Sequence, residues 1–432
     1  AAQRDAITSP AAGLMIWCTD CGATGEFQVN NGTGWADLFG QTVNNSVLQG
    51  SDIDGEASND YSGESVSLSS DGSTVAIGAY GNDGNATDAG HVRIYKNISG
   101  TWTQVGADIN GEATSDHSGI CVSLSSDGSI VAIGARYNDG TGSNAGHVRV
   151  YKNISGTWTQ VGADINGEAA NDYSGSTVSL SSDGTIVAIG AYANDGNGTD
   201  AGHVRVYKNI SGTWTQVGAD IDGEAASDHS GVSVSLSSDG SIVAIGARYN
   251  DGNGSNAGHV RVYQYISSTW TQLGSDIDGE YGNDNFGWSV SLSSDSTVAI
   301  GAVNHNGTGH VRVYKYISST STWTQLGSDI DGEYGSDYFG VSLSLSNDGT
   351  ILAIGAQYND GKNGRFSNVG QVEIYQNISG TWSKVSSIFG EGANDHSGWS
   401  VSLSSDGNTV AIGAHYNDGN GTDSGHVRVY LK

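Results

Sequence analysis

Short runs of alternating apolar and polar residues recur along most of the chain, as in TIVAIGA from Thr185 and HVRVY from His203. An alternation with a period of two is typical of half-buried β-strands. The runs come in groups of four, separated by turn-forming stretches such as SSDG and NISG and by two longer loops. The pattern predicts units of four antiparallel strands, which we call the first to fourth strand of a unit.

These units repeat. The tetrapeptide AIGA occurs seven times, and successive copies are 56, 56, 56, 55, 54 and 58 residues apart. A single four-stranded unit cannot bury both of its faces, whereas stacked copies bury a continuous core. The sequence therefore predicts an all-β protein in which residues 45–432 form a seven-bladed β-propeller of four-stranded antiparallel blades. Residues 1–44 lie outside the repeat and are expected to form a small N-terminal β-meander.

The two ends of the repeat region complement each other. The last unit stops at GHVRVYLK and lacks its fourth strand, while SVLQGSDIDGE from Ser46 matches a fourth strand that no earlier strands precede. We therefore expect residues 45–50 to pair with the last blade and close the ring, which leaves no unpaired sheet edge.

Composition narrows the function. The chain has 66 Gly and one Pro, which disfavours long helices. Its 46 acidic and 17 basic residues give a net charge of −29, which argues against nucleic-acid binding and favours cations or basic partners. No apolar run approaches the roughly 20 residues of a membrane-spanning helix, so no membrane span is expected.

The loop from the fourth strand of one unit to the first strand of the next is the first candidate calcium site. Oxygen-bearing side chains at positions 1, 3, 5 and 9 resemble the spacing of EF-hand calcium loops. In the first copy these residues are Asp52, Asp54, Glu56 and Asp60. The glycine, however, stands at position 4 instead of 6, and the last copy lacks the first two acids. The alternative is that these carboxylates accept backbone N–H bonds or face an arginine of the third strand, such as Arg205.

The loop from the second to the third strand is the second candidate. It places oxygen-bearing residues between glycines, which suits a hard cation such as Ca²⁺ but is also ordinary turn chemistry. The residues are Asp83, Asn85, Thr87 and Asp88 in unit one, Asp195, Asn197, Thr199 and Asp200 in unit three, and Asp418, Asn420, Thr422 and Asp423 in unit seven. Strand alternation puts both loops on one face of the propeller, and we call it the loop face.

Three signatures occur in a constant order: FGWSV at Phe286 and FGVSL at Phe339, a second strand ending in GA, and a third strand beginning GHVRVY. Together they resemble FG-GAP repeats, the units of integrin α-subunit propellers and of the C-terminal part of glycan-anchor-specific phospholipase D. The resemblance implies an extracellular or cell-surface binding role. The family's calcium loop between the first and second strands is replaced here by SSDG, so its ligands cannot be carried over to this chain.

Residues 1–44 contain GLMIW and NGTGW and resemble short N-terminal segments of secreted Bacteroidota surface proteins. This segment either packs on the propeller or mediates assembly. Cys18 and Cys21 form a CTDC sequence, for which a local disulfide or two free thiols are the favoured interpretations.

Two recurrent residue types have structural explanations. The tryptophans of the GTWTQ fourth strands are expected to pack against a neighbouring blade, with sugar stacking as the alternative. The histidines that begin the third strands are expected to be structural, because unit six has Gln371 at that position.

The sequence offers seven near-equal units and no recognisable catalytic motif, so we expect no enzyme. The favoured function is an adhesion or binding module whose loop face takes a protein or a glycan. Its main site is expected where the repeats differ, at Trp288, Trp399, His305, Arg365 and Phe366. The alternative is a structural subunit of a surface fibre or coat, a homo-oligomer assembled through the N-terminal segment.

Overall fold

The computed structural model describes the strands at residues 15–18, 26–30 and 35–37 and, beyond these, residues 46–361, 364 and 367–432. The N-terminal strands are Met15–Cys18, Glu26–Asn30 and Trp35–Asp37, and they form one antiparallel sheet in that order. This sheet is the β-meander that the sequence predicts. Among the described residues, no helix has the length and hydrophobicity needed to cross a bilayer.

The repeat units form seven antiparallel sheets, each built in the order first, second, third and fourth strand. The first strands are Ser65–Leu68, Cys121–Leu124, Thr177–Leu180, Ser230–Leu236, Phe286–Leu292, Leu343–Leu345 and Ser400–Leu403. The second strands are Thr74–Ala79, Ile130–Ala135, Ile186–Ala191, Ile242–Ala247, Thr297–Ala302, Ile351–Ala356 and Thr409–Ala414. The third strands are His91–Ile98, His147–Ile154, His203–Ile210, His259–Ile266, His310–Ile317, Gln371–Ile378 and His426–Leu431.

The first strands of neighbouring sheets contact one another around a closed ring, so they lie closest to the axis. Seven hydrophobic cores fill the spaces between neighbouring sheets. In one of them, Val148 and Val150 of blade two pack against Val187 and Ile189 of blade three. The predicted all-β seven-bladed propeller is confirmed.

The fourth strand differs from the prediction, because in most blades it consists of two pieces that both pair with the third strand. These pairs are Thr101–Gln104 with Ile109–Asn110, Thr157–Gln160 with Ile165–Asn166, Thr213–Gln216 with Ile221–Asp222, Thr269–Gln272 with Ile277–Asp278, and Thr322–Gln325 with Ile330–Asp331. Blade six has one strand, Thr381–Phe389, with a bulge. The predicted fourth strand is present in each blade, and its second piece brings part of the expected acidic loop into the sheet.

The break in the fourth strand has a packing function. In blade two the carbonyl oxygen of Val161 accepts a hydrogen bond from the indole N–H of Trp214 in blade three, at 2.7 Å. Gly162 follows with φ +76°, and a Cβ atom there would lie 2.9 Å from Cδ1 of Trp214. The break therefore lets the sheet present one backbone carbonyl to the next blade, as the expected packing role of the tryptophans requires.

Blade seven takes its fourth strand from the other end of the repeat region. Val47–Leu48 and Ile53–Asp54 both pair with His426–Leu431, with Leu48 opposite Tyr430 and Ile53 opposite Val427. Ala411, Val427 and Val429 of this blade share a core with Val66 and Ile77 of blade one. The division between a separate N-terminal domain and the propeller at residue 45 stays a prediction.

Candidate functional site

A buried aspartate fixes each loop that leads into a first strand. Asp172 is 3% exposed, and its Oδ2 accepts the backbone N–H of Ala169 and the side-chain amide of Asn194, each at 3.0 Å. Each of the other six loops places a buried aspartate at this position. These residues are Asp60, Asp116, Asp228, Asp284, Asp337 and Asp395. The last acid of the predicted calcium motif is therefore committed to the turn.

The glutamate of the same loop faces an arginine of the third strand. Glu168 Oε1 lies 3.2 Å from Nη1 of Arg205, and the same guanidinium donates through Nη2 to the carbonyl of Asn166 at 2.8 Å. Equivalent pairs join Glu56 to Arg93, Glu112 to Arg149, Glu224 to Arg261, Glu280 to Arg312 and Glu391 to Arg428. The interpretation of these carboxylates as partners of backbone amides and arginines matches the contacts observed.

The four residues of the first predicted calcium motif have different surroundings. Asp52 pairs with Nε of Arg428 at 3.1 Å and groups with Glu391 and His426 of blade seven. Asp54 is exposed on a strand, Glu56 groups with His91 and Asp108 of blade one, and Asp60 is buried. Asp52 and Glu56 thus belong to the clusters of two different blades. Calcium binding by this set stays a prediction that the contacts do not favour.

The second-to-third loops are closed by their own acids. Oδ1 of Asp195 accepts the backbone N–H of Asp200 at 2.9 Å, and the amide of Asn197 donates to the carbonyl of Gly223 in the next loop at 2.8 Å. The backbone carbonyl of Thr199 accepts the N–H of Ser227. Unit one repeats these bonds: Asp83 accepts the N–H of Asp88, the amide of Asn85 donates to the next loop, and the carbonyl of Thr87 accepts the N–H of Ser115. Unit seven does the same with Asp418, Asp423 and Asn420, and the carbonyl of Thr422 accepts the N–H of Asn59.

Like charges nevertheless lie close together in the loop of unit seven. Burial, followed by the neighbouring carboxylate of Asp418, raises the pKa of Asp423. A cation bound there would relieve this repulsion. Burial and the carboxylate of Asp52 also raise the pKa of Glu391, so like charges are crowded in the other loop as well.

The carboxylate of the turn between the first and second strands accepts hydrogen bonds from within that turn. Asp71 Oδ1 accepts the hydroxyl of Ser69 at 2.7 Å and the backbone N–H of Ser73 at 2.9 Å. This tight turn offers one carboxylate where an FG-GAP calcium loop needs several. The residues present do not fit the family's calcium ion at that place.

The mouth of the central axis on the loop face gathers a different set of side chains. The residue after each buried aspartate has a left-handed backbone, with φ between 54° and 57°, although it is not glycine. These residues are Tyr61, His117, Tyr173, His229, Asn285, Tyr338 and His396. A left-handed backbone costs roughly 1–2 kcal/mol for a residue with a Cβ atom. Six blades place a tyrosine or histidine ring at the axis in this strained conformation, and blade five places Asn285 there.

Twelve of the rings at this mouth contact one another in a chain, which we call the aromatic annulus. Consecutive ring centroids are between 4.8 and 5.5 Å apart, within the range of favourable aromatic pairs. In order, the rings are Tyr338, Tyr358, His396, Tyr416, Tyr61, Tyr80, His117, Tyr137, Tyr173, Tyr192, His229 and Tyr249. The chain of rings covers six blades and stops at blade five, where Asn285 and Asn304 hydrogen-bond each other at 2.6 Å.

A cavity of about 300 Å³ opens beside these rings, and it combines aromatic surfaces with a few polar groups. It is lined by Glu64, Tyr80, His117, Ile120, Arg136, Tyr358, His396, Trp399, His415 and Tyr416. Such a combination is typical of small-molecule and saccharide sites. We call the annulus and this cavity together the axial mouth.

Both predicted tryptophans lie beside the annulus. The guanidinium of Arg248 lies 4.4 Å from the ring centroid of Trp288 and 4.8 Å from that of Tyr249. The indole of Trp399 lines the cavity together with Glu64 and lies 4.6 Å, centroid to centroid, from His415. Their assignment as ligand-binding residues stays a prediction; Trp399 lines the cavity of the axial mouth, and Trp288 is joined to Tyr249 of the annulus through Arg248.

The polar groups of the axial mouth have strongly perturbed ionisation. Burial raises the pKa of Glu64 to about 7, although Arg136 and Trp399 oppose the shift. Burial and the neighbouring His396 lower the pKa of His415 to about 3. The buried Nε of Arg136 and that of Arg248 have no hydrogen-bond partner in the described part of the chain. The mouth therefore holds neutral imidazoles and guanidinium groups with unused hydrogen-bonding capacity.

The other predicted ligand-binding residues are not at the mouth or are not described. His305 is buried in blade five, on the single-turn 3₁₀ helix His305–Gly307, with Nδ1 3.0 Å from Oδ2 of Asp284. Arg365 and Phe366 lie outside the described residues.

Sequence reasoning missed most of the axial mouth. Glu64 occupies the same repeat position as Trp288 and Trp399, so comparison of the seven units could have found it. Arg136 and Arg248 follow the AIGA motif directly, at a position where units one and three have Tyr80 and Tyr192.

Comparison with known families identifies two regions. The model described as FG-GAP repeat matches residues 52–95, 166–207, 214–263 and 382–430. The model described as phage tail like trimerisation region matches residues 1–50. No curated protein matches the chain. The resemblance of the N-terminal segment to secreted Bacteroidota surface proteins stays a prediction.

Proposed function

The chain is an FG-GAP repeat protein that forms a seven-bladed β-propeller, and from this premise we propose that it is a non-enzymatic binding or adhesion protein of the cell surface. Its partner binds at the axial mouth on the loop face. The observation that carries the proposal is the aromatic annulus, in which loops of six blades place aromatic rings in one continuous chain, five of whose rings line the cavity.

A glycan fits the chemistry of the mouth better than a protein does. Sugar rings stack their C–H faces on tryptophan and tyrosine, and their hydroxyls accept hydrogen bonds from arginine. A cavity of about 300 Å³ admits a few sugar residues but not a folded protein surface. Trp399 and Arg136, which line the cavity, supply both kinds of contact, and Trp288 and Arg248 form a second aromatic and guanidinium pair beside Tyr249 of the annulus.

A glycan microarray probed with the labelled full chain tests this proposal. The double variant W288V/W399V is the informative one, because Val232 and Val341 occupy the same repeat position in units four and six. We expect the wild type to bind a defined set of glycans and the double variant to lose them. The matched control is Tyr334→Ala, since Tyr334 is 61% exposed and lies outside the annulus. Equal glycan binding by the double variant, or binding only to proteins, would refute a saccharide site at the axis.

A second candidate function is that of a structural subunit, and the family match of residues 1–50 favours it. We propose that this segment joins three chains, which would present three propellers together and strengthen binding through multivalency. Light scattering after size-exclusion chromatography should give the mass of three chains for the full protein and of one chain after deletion of residues 1–44. A deletion variant that is still trimeric would place the assembly surface on the propeller.

We also propose that calcium assists binding through the second-to-third loops. The support is the crowding of Asp418 and Asp423, together with the net charge of −29. Titration of glycan binding with CaCl₂ and then EGTA should show tighter binding with calcium. Replacement of both acids by asparagine should remove that difference, and a difference that survives would locate the calcium elsewhere.

A further inference from the structure

Blade five differs from the other blades in the loop that follows its second strand. Here His305 stands where each of the other six blades has an asparagine that donates to the buried aspartate. In blade three that bond joins Asn194 Nδ2 to Asp172 Oδ2 at 3.0 Å, and in blade five it joins His305 Nδ1 to Asp284 Oδ2, also at 3.0 Å. The asparagines are Asn82, Asn138, Asn194, Asn250, Asn359 and Asn417. The histidine thus keeps the structural bond and adds a second ring nitrogen.

The ring of His305 stacks on His310, the first residue of the third strand, with centroids 3.9 Å apart. The side chain of His310 is 0% exposed, and neither of its ring nitrogens has a hydrogen-bond partner among the described residues. Its nearest carboxylate oxygen, Oδ2 of Asp329, is 3.9 Å from Nδ1, which is too far for a hydrogen bond. Buried polar groups are nearly always satisfied, so two unpaired nitrogens on one ring indicate a missing partner.

Glu280 completes the cluster from the loop that enters blade five. One ligand atom each of Glu280, His305 and His310 lie within 4.8 Å of one another. Both ring nitrogens of His310 are buried without a hydrogen-bond partner among the described residues, so the nitrogen that carries no proton in the neutral ring has a lone pair free for a metal ion. Nη1 of Arg312 also lies 3.4 Å from Oε1 of Glu280.

We propose that Glu280, His305 and His310 bind a divalent transition-metal ion of the zinc type. Two imidazoles and one carboxylate are a ligand set that proteins use for zinc, with water in the fourth position. Asp284 acts as a positioning residue, because a carboxylate that accepts the other ring N–H fixes the tautomer and orientation of a metal-binding histidine. Binding requires the exposed Asn306 to release Nε2 of His305, which its amide contacts at 2.8 Å.

Comparison with the other blades explains why the proposed site is specific to blade five. In blade three the corresponding cluster is Glu168, His203 and Asp220, which has one histidine because Asn194 occupies the place of His305. The metal site is independent of any ligand at the axial mouth.

Isothermal titration calorimetry with ZnCl₂ tests the proposal on the full chain, stripped of metal and with its cysteines alkylated. Two variants have natural precedents in this chain and are expected to fold: His305→Asn copies six blades, and His310→Gln copies Gln371 of unit six. We expect one zinc ion per wild-type chain and a loss of affinity of at least about tenfold in each variant. The matched control is His259→Gln in blade four, which should leave zinc binding unchanged.

Absorption spectra with Co²⁺ in place of zinc separate this site from the CTDC cysteines. Visible bands without a sulfur-to-metal charge-transfer band, lost in His305→Asn, support nitrogen and oxygen ligands in blade five. Three results would overturn the proposal: no zinc uptake by the wild type, wild-type affinity in His305→Asn, or a thiolate spectrum.

Discussion

Replacement of Asp172 by alanine should destabilise the propeller by roughly 3 kcal/mol. The carboxylate accepts the N–H of Ala169 and the amide of Asn194, each at 3.0 Å, and is 3% exposed. Alanine leaves the buried amide of Asn194 and the part-buried N–H of Ala169 without an acceptor. A buried donor without a partner costs about 1–3 kcal/mol and a part-buried one less, so the two together come to roughly 3 kcal/mol. The same change frees the turn that holds Tyr173 at φ 55° in the annulus.

Guanidinium unfolding followed by tryptophan fluorescence at neutral pH measures this cost. The control is Asp222→Ala, because Asp222 is an exposed residue of the same repeat, and its loss should change stability by less than about 0.5 kcal/mol. If Asp172→Ala stays within about 0.5 kcal/mol of the wild type, or the control loses as much, the buried aspartates do not hold the loops and the account of the turn is wrong.

Three further predictions concern the rest of the propeller. The free energy of unfolding should fall as the pH decreases below about 6.5, because burial lowers the pKa of His310 and of His415 to about 3 and the unfolded chain therefore takes up protons first. Each of these histidines then lowers the free energy of unfolding by up to about 1.4 kcal/mol per pH unit. Urea unfolding between pH 7 and 5 measures this loss, and a stability that does not change with pH would contradict the prediction. Burial raises the pKa of the Cys121 thiol to about 11, so mass spectrometry should find iodoacetamide labelling at pH 8 slow in the native chain and fast in urea, whereas equal rates would mean an accessible thiolate. Gly162→Ala should lower the melting temperature by an amount equivalent to about 1–3 kcal/mol, since its Cβ would lie 2.9 Å from Cδ1 of Trp214, and an unchanged melting temperature would show that the interblade contact is not tight.

The blades could be predicted from the sequence because their strands carry a strict period of two and the AIGA motif fixes their spacing. The partner of Arg205 could also be anticipated, since a glutamate that remains where a full metal motif is lost must serve the turn. The sequence pattern did not predict the second piece of the fourth strand that most blades have. Gly162 and Ala163 look like the start of a loop, and only the indole of Trp214 from the next blade explains why the strand resumes at Ile165.

The axial mouth was predictable only in part. Trp288 and Trp399 stand out because large residues replace small ones; Trp399 lines the cavity, and Trp288 is joined to the annulus through Arg248. The annulus could not be predicted from the sequence. The position after each buried aspartate changes between tyrosine and histidine from unit to unit, and its left-handed backbone is not indicated by any local motif. His305 was singled out as unusual, but its contacts with Asp284 and His310 depend on the pairing of distant strands.

The most direct test of the account is a crystal structure of the full chain with the glycan that binds best on the array. We predict sugar density in the axial mouth, stacked on Trp399 or Trp288 and within hydrogen-bond distance of Arg136 or Arg248. A second cavity, of about 250 Å³, lies at the outer edge between blades and is lined by Ala163, Tyr207 and Trp214. Sugar bound there, with the axial mouth empty, would contradict the claim that this propeller recognises its partner along its axis.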